Sequence, residues 1–467
     1  MNQEIYTAFK AYDIRAESPN VIDNKFARNL GLSVAKVLKP KKVMVAKDMR
    51  LTSNNLELAL VETLTDVGVD VVKVGLCSTP MFNVLLGLAN GEFDLGIMVT
   101  ASHNPGIYNG FKLTRGDCLP IGLGSGLETI RDAYETVSTN YASARIKHVG
   151  KVIEDAEALD RYVDFIIQKA ALPDNMPDMN IVIDAGNGMS GFVMPKLLEK
   201  LPWIKSNNLY FDLDGNFPNH EANPLKVETL EMLKKQVKET GAVCGVAFDG
   251  DADRVGFVDE NSLQIGGDIL TAILGKIELK KYPGGTVMCD TRYSWAVPEA
   301  IESMGGKFEP CLVGHANIKN AMRKNHAIFS GELSMHFYYS ELWNVESGDY
   351  TLLLLLKDMA QTGKKMSDLR SGLTQYFRSE ELNYTVEEKD AVFKRMIDEY
   401  KSDATKIIDI DGLRYEFGDP KKDSQAWWFS LRSSGTEPLI RLNVEATTKE
   451  LMERKVAEMD KLIKKFG

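Results

Sequence analysis

Leu95-Gly-Ile-Met-Val99, followed at once by Thr100-Ala-Ser-His-Asn-Pro105, is the stretch from which the architecture can be read. Five consecutive apolar residues are too few for a buried helix and read as a strand covered on both faces, with the polar residues forming a loop at its carboxyl end. The same event occurs twice more. Val243-Cys-Gly-Val-Ala-Phe248 runs into Asp249-Gly-Asp-Ala-Asp-Arg254, and Ala327-Ile-Phe329 leads to Gly331-Glu-Leu-Ser-Met-His336. Each copy holds two earlier strands separated by helical segments, at 43–46 and 69–74, 181–185 and 209–211, and 286–290 and 308–313. The expectation is three related α/β domains with mixed, mostly parallel sheets. Ligands bind at the carboxyl ends of strands in such sheets, so the three loops are expected to face one central cleft.

After the third copy the pattern changes. Segments 413–417, 427–431 and 439–444 read as strands flanking Arg432-Ser-Ser-Gly-Thr-Glu-Pro438, and a charged helix closes the chain. This is the expectation for a smaller C-terminal α+β domain. The domains are thus drawn at 1–150, 151–260, 261–375 and 376–467.

The composition narrows the partners. Of 467 residues, 56 are Lys or Arg and 66 Asp or Glu, a net charge of −10, which argues against binding to nucleic acid or an anionic membrane. With 44% hydrophobic and 26% charged residues the chain is an ordinary globular protein. Met1-Asn-Gln-Glu-Ile-Tyr6 carries no basic segment ahead of an apolar run, so no signal peptide is expected. The densest apolar run, Leu352 to Leu356, is far short of the roughly 20 residues of a membrane span. Five scattered cysteines with no Cys-x-x-Cys pair suit reduced core thiols in a cytoplasmic chain.

The loops carry the chemistry. Carboxylates at Asp249, Asp251 and Asp253 would span about 13 Å if extended, at about 3.3 Å per residue, so a shared ion requires the loop to curl. Three carboxylates in one tight loop repel unless a hard divalent cation neutralises them, and Mg²⁺ suits phosphate chemistry. The spacing to Glu260 imitates an EF-hand, but Arg254 stands where that loop needs glycine, and strands flank it. Ser102, at a strand mouth beside His103 with Lys112 nearby, is a candidate nucleophile or phosphate carrier. Next to a metal loop, a phosphoserine would complete a phosphoryl-transfer centre, whereas alone Ser102 could be an ordinary serine turn. Arg432-Ser-Ser-Gly-Thr-Glu-Pro438 suits the wrapping of phosphate oxygens, and Glu332, Ser334 and His336 alternate as a hydroxyl-reading face would. Gly186-Asn-Gly-Met-Ser-Gly191, with Asp212 further on, formally matches a dinucleotide fingerprint. The equivalent turns of the other copies lack glycines, and a dinucleotide leaves the aspartate loop without a purpose.

Taken in order, Thr-Ala-Ser-His-Asn-Pro, Asp-Gly-Asp-Ala-Asp-Arg, Gly-Glu-Leu-Ser-Met-His and Arg-Ser-Ser-Gly-Thr-Glu-Pro resemble the alpha-D-phosphohexomutase family. The resemblance runs from Phe9-Lys-Ala-Tyr-Asp-Ile-Arg15 to Arg441-Leu-Asn-Val-Glu445, essentially the whole chain. It implies an isomerase that moves a phosphoryl group between the 1- and 6-positions of a hexose through a phosphoserine and a hexose 1,6-bisphosphate. It implies that Ser102 is the phosphoserine and that Asp249, Asp251 and Asp253 hold Mg²⁺ together with its phosphate. Arg15, His103 and Lys112 would serve catalysis beside it, Lys112 foremost as acid or base, with Tyr12 and Arg254 close by. Glu332 and Ser334 would read the sugar's 3- and 4-hydroxyls, near His336, His315 and Arg292. Arg432, Ser434, Gly435 and Thr436 would grip the phosphate that is not reacting, on a C-terminal domain that hinges.

The implied partners are a hexose phosphate substrate and hexose 1,6-bisphosphate as activator, on a monomer or homodimer. Gly435 departs from the Asn of mannose enzymes, but Glu-Leu-Ser is closer to their Glu-Met-Ser than to the Glu-Gln-Ser of glucosamine enzymes. The implied order of substrates is therefore mannose phosphate, then mannose and glucose phosphates together, then glucosamine phosphate. Met335 stands where the family usually has Gly or Ala and is expected to narrow the pocket or to alter sugar choice. A non-catalytic sugar-phosphate binder would need neither Ser102 nor three aspartates.

Overall fold

Every residue of Leu95–Val99 is buried, as its five apolar side chains require. In this computed structural model, which describes residues 3–137, 149–433 and 439–466, the strand sits inside a six-stranded sheet. Its order is Ile14–Glu17, Tyr108–Arg115, Leu95–Val99, Lys42–Lys47, Asp70–Leu76 and Val152–Glu154. The last four strands are mutually parallel, while Tyr108–Arg115 runs antiparallel to both its neighbours. One face packs on helices Asn24–Leu38 and Ser53–Asp66 through a core that includes Phe26, Leu60, Val45, Ile97 and Phe111.

The second sheet repeats the plan with five strands, in the order Gln264–Ile265, Val255–Asp259, Cys244–Phe248, Met179–Asp184 and Ile204–Leu209. Here too the strand after the polar loop, Val255–Asp259, returns antiparallel. The loops at 100–107 and 249–254 are therefore strand-to-strand connections. The sequence reading places no strand at Tyr108–Arg115, because its Asn109, Lys112 and Thr114 break the apolar pattern; all three are buried. It also places the second domain's middle strand at 209–211, where the structure has Ile204–Leu209. That strand is at the sheet's edge and half polar, so hydrophobicity does not mark it.

The chain divides into two compact units, Met1–Ile265 with Ser334–Asp368, and Gly266–Leu333 with Leu369–Gly467. The first also contains the antiparallel pair Phe337–Tyr339 and Val345–Glu346 and the helix Gly348–Thr362. That helix buries all of Leu352–Leu356. Among the described residues no helix is long and apolar enough to cross a membrane. The five cysteines are buried free thiols.

The second unit joins three parallel strands, Lys307–Cys311, Thr286–Asp290 and Phe329–Gly331, to an antiparallel sheet built on Leu413–Phe417, Trp427–Ser433 and Leu439–Ala446. Arg414 fastens the two. Its buried guanidinium donates to the carbonyls of Thr291 and Tyr293 at 2.9 and 2.7 Å and to Glu416 at 2.9 Å. The rings of Tyr293 and Trp428 cover it on either side, each 3.9 Å from Cζ. A hinge motion of the C-terminal sheet against these strands would have to break that buried charge network.

In the first unit the helices Ala158–Ala170 and Gly348–Thr362 are joined by a buried pair, the Tyr162 hydroxyl donating to Asp349 at 2.6 Å. Burial raises the Asp349 carboxyl to about 6, although the Tyr162 bond works against the rise. A raised acid contributes stability that is complete below its unfolded value and lost as pH rises through its folded one. Between pH 4 and 7 the wild type should lose about 3 kcal/mol relative to Asp349→Asn in urea unfolding, and parallel curves for the two would refute this coupling.

Candidate active site

The strand Leu95–Val99 delivers Ser102 into a buried position, 3% exposed, with φ at 52°. Left-handed backbone at serine costs of order 1–3 kcal/mol and survives only where the surroundings impose it. The Thr100 hydroxyl accepts the Ser102 N–H at 3.0 Å, and Ser102 Oγ donates to Asp249 Oδ2 at 3.0 Å with His103 Nδ1 at 3.1 Å.

The aspartate loop curls as the charge argument requires. Ala252 has φ 63°, and Asp249, Asp251 and Asp253, all buried, bring carboxylate oxygens within 4.8 Å of one another. Gly250 cannot carry a side chain: a Cβ there would lie 2.5 Å from the Ser102 carbonyl oxygen. On the other side Gly188 meets the same loop, where a Cβ would lie 2.8 Å from the Gly250 carbonyl oxygen, and the Met189 N–H donates to that oxygen at 2.9 Å. The glycine run that imitates a dinucleotide motif is thus a saddle for the aspartate loop. Two helices begin against it, with Thr79 donating its N–H to the Asp251 carbonyl at 2.9 Å and its hydroxyl to Asp251 Oδ2 at 2.6 Å. Helix N-termini favour negative charge, so both offset the carboxylates.

Lys112 reaches in from Tyr108–Arg115 and donates to Asp251 and Asp253 at 2.7 Å each. Burial works against its charge, but the two carboxylates prevail and raise its pKa, so Lys112 is held as an ammonium. Asp253 is pushed up by burial and pulled further down by Lys112 and His336, ending well below the ordinary range. Asp249 ends well above it, through burial and then the neighbouring Asp253 and Asp251 charges. His103 is held neutral by burial, with Arg254 and Arg15 adding repulsion. The residues fit a divalent cation. Asp251 Oδ1 is buried without a partner, and the donor set is all oxygen.

Arg15 donates to Asn104 Oδ1 on the Ser102 loop at 2.7 Å and to Asp13, two residues before it, at 2.5 Å, and half-buried Tyr12 precedes Asp13. His336 Nε2 lies 3.2 Å from Asp253, its Nδ1 3.0 Å from the Ser334 hydroxyl. The Arg254 N–H donates to Asp249 at 3.1 Å and leaves its buried Nε without a partner. Met335, with φ 66°, is buried with its sulfur against Gly256, where a Cβ would lie 2.9 Å away.

In the second unit Arg292 is encased by carboxylates, Asp290 at 2.8 Å, Glu381 at 3.1 Å and Glu332 at 3.9 Å. Glu332 also accepts the Gly314 N–H at 3.1 Å, beside His315 at the start of helix His315–Asn325. Arg432 donates to Asp411 at 2.7 Å, and Asp411 accepts the Val313 N–H at 3.2 Å. Ser434, Gly435 and Thr436 lie outside the described residues. Sequence reasoning passed over Thr79 and Asp411, which stand in no motif and act only through the partners the fold brings to them.

A buried serine against a cluster of three buried aspartates, repeated α/β domains and an antiparallel C-terminal domain define a class: a phosphohexomutase, an isomerase working by phosphoryl transfer. Residues 6–141, 160–266 and 266–377 match phosphoglucomutase/phosphomannomutase alpha/beta/alpha domains I, II and III, and 381–462 the C-terminal domain. The chain belongs to the phosphoglucomutase/phosphomannomutase family. A protein described as phosphohexose mutases from Xanthomonas campestris pv. campestris is 36% identical over 98% of this chain and 99% of its own. The phosphomannomutase of Methanocaldococcus jannaschii is 34% identical over 98% of each chain. A phosphoglucomutase/phosphomannomutase family protein from Burkholderia thailandensis is 30% identical, with a TM-score of 0.85 over 98% of this chain and 97% of that one.

Because burial and the Asp253 and Asp251 charges raise the Asp249 carboxyl, a cation binding here would compete with its proton. Calorimetric Mn²⁺ titrations in two buffers of different ionisation enthalpy should show release of up to about one proton, with affinity rising with pH. Asp249→Asn should release none; equal release by both proteins would be the contrary result.

Proposed function

We propose that this chain is a phosphomannomutase, interconverting mannose 6-phosphate and mannose 1-phosphate through a phosphorylated Ser102. The observation that carries the reading is Ser102 Oγ, buried and 3.0 Å from a carboxylate of the three-aspartate cluster. A serine hydroxyl has no structural need of such a neighbour, whereas a phosphoserine and a cation site need each other. Asp249, Asp251 and Asp253, with an oxygen of the phosphoserine, would hold Mg²⁺, which when bound offsets charge on the phosphoryl oxygens.

In the first half-reaction the phosphoserine O–P bond breaks as the free hydroxyl of mannose 1-phosphate or 6-phosphate bonds to phosphorus. Neutral His103, 3.1 Å from Ser102 Oγ, suits acceptance of a proton, and Lys112, clamped by Asp251 and Asp253, would become a competent donor once a cation took over those carboxylates. The mannose 1,6-bisphosphate turns over, and Ser102 takes back the other phosphoryl group. Arg254, whose Nε is free, and Arg15 suit the transferring phosphate. Glu332 and Ser334, with His336, His315 and the Arg292 that steadies Glu332, would read the hydroxyls. Arg432, Ser434, Gly435 and Thr436 would hold the distal phosphate, Tyr12 standing near the phosphoserine. Hexose 1,6-bisphosphate would rephosphorylate enzyme that has lost its phosphate. The four domains would be 1–150, 151–260, 261–375 and 376–467.

Mannose is supported by the phosphomannomutases of Methanocaldococcus jannaschii and of Vibrio cholerae, the latter 35% identical over 98% of this chain. The Xanthomonas relative's description names no single hexose, which favours a dual mannose and glucose enzyme as the second reading. kcat/KM on mannose 1-phosphate should exceed that on glucose 1-phosphate by about tenfold or more, about 1.4 kcal/mol in transition-state binding. Comparable values establish the dual enzyme instead. Ser102→Ala should lose both turnover and the phosphate seen by intact mass, and retention of either would defeat the phosphoserine reading.

A further inference from the structure

Arg50 follows the strand Lys42–Lys47 in a turn, Lys47-Asp-Met-Arg50, with no sequence feature that marks it as functional. Its guanidinium is nonetheless the centre about which the Ser102 loop is wound. Nη2 donates to the carbonyls of Ser102 and Asn104 at 2.7 and 2.5 Å, and Nη1 to those of Pro105 and Tyr108 at 2.9 Å each. Nε lies 3.3 Å from the Asp48 carboxylate, an ion pair without a hydrogen bond, so the four Nη N–H groups carry the loop and Nε carries the charge contact. Asp48 is fixed in turn by the Ser53 hydroxyl at 2.6 Å and the Arg50 N–H at 3.0 Å. The assembly is buried, Arg50 3% and Asp48 1% exposed, and the Phe217 ring lies 5.2 Å from the guanidinium carbon.

Four carbonyl oxygens of one short loop turned onto a single cation is a costly arrangement with two consequences. It supplies the external constraint that the left-handed backbone of Ser102 demands. It also fixes the backbone of the loop from Ser102 to Tyr108 before any substrate arrives. The Ser102 carbonyl held by Arg50 is the same oxygen that touches Gly250, so one guanidinium sets the serine's position along the aspartate loop. We infer that Arg50 is a positioning residue for phosphoryl transfer, fixing Ser102 Oγ relative to the three aspartates without touching substrate. The inference rests on Ser102 being the phosphoryl carrier. Lysine cannot replace it, since three donors radiating from one atom cannot reach four carbonyls spread along a plane.

The test uses the full chain with Arg50→Lys and Arg50→Gln, Ser102→Ala as reference, and wild type first. Misplacement of Oγ by about an ångström should lower kcat about 100-fold in Arg50→Lys and further in Arg50→Gln, with KM for hexose phosphate within about threefold. Phosphoserine occupancy at fixed hexose 1,6-bisphosphate, read by intact mass, should fall in the same order, at temperatures where circular dichroism shows both variants folded. A kcat within about twofold of wild type in folded Arg50→Lys overturns the inference, as does a loss shared equally between kcat and 1/KM. Should both Arg50 variants fail to fold, Asp48→Asn, which slackens the anchor and leaves the four carbonyl bonds, decides. A lowered kcat with KM unchanged supports the inference, and an unchanged kcat overturns it. Wild type lacking both phosphate and turnover would sink the Ser102 reading itself, a result separable from any Arg50 outcome.

Discussion

Three carboxylates within 4.8 Å of one another, all removed from water, are the constraint that the rest of the first unit answers. Buried like charges raise one another's pKa unless compensating charge is brought to them. The compensation comes from several directions: the Lys112 ammonium, the His336 imidazole, and two helix starts at Thr79 and Met189 that donate N–H groups to the loop's carbonyls. This explains why the sheet is mixed. In an all-parallel sheet the chain would leave the Ser102 loop into a helix, and no side chain would return along the strand edge. The antiparallel return of Tyr108–Arg115 carries Lys112 back to Asp251 and Asp253.

The same constraint divides the glycines and small residues by task. Gly250 lets the Ser102 carbonyl approach one side of the aspartate loop and Gly188 seats the other side. The loop is held between two backbones, and its carboxylates are left to converge. Of the three glycines in this motif, Gly188 meets the aspartate loop, Gly191 meets the Phe211 carbonyl and Gly186 takes a left-handed backbone, whereas in a dinucleotide enzyme the motif would answer to a pyrophosphate.

What was legible in the sequence follows from what each residue does locally. Leu95–Val99, Cys244–Phe248 and Thr286–Asp290 are apolar because sheets cover both their faces, so period and length disclose them. The aspartate loop was legible because its spacing has no stable meaning without a cation. Ile204–Leu209 was not, being an edge strand with half its residues in water. Tyr108–Arg115 was hidden by the buried polar residues that make it useful. Arg50 and Asp411 were invisible for a different reason: their partners lie about 50 or more residues away in some cases, and a turn containing a charged residue looks the same whether or not four carbonyls surround it.

Met335 shows how a side chain's direction, which the sequence does not carry, decides where its volume goes. A large side chain where glycine or alanine is usual suggests a smaller pocket. The left-handed backbone at Met335 instead turns the side chain under the loop, where Gly256 leaves room, and the Val255 N–H donates to the Met335 carbonyl at 3.0 Å. The added volume is absorbed by packing between this loop and the strand that follows the aspartates. It ties His336, and through it Asp253, to the segment that carries Ser334.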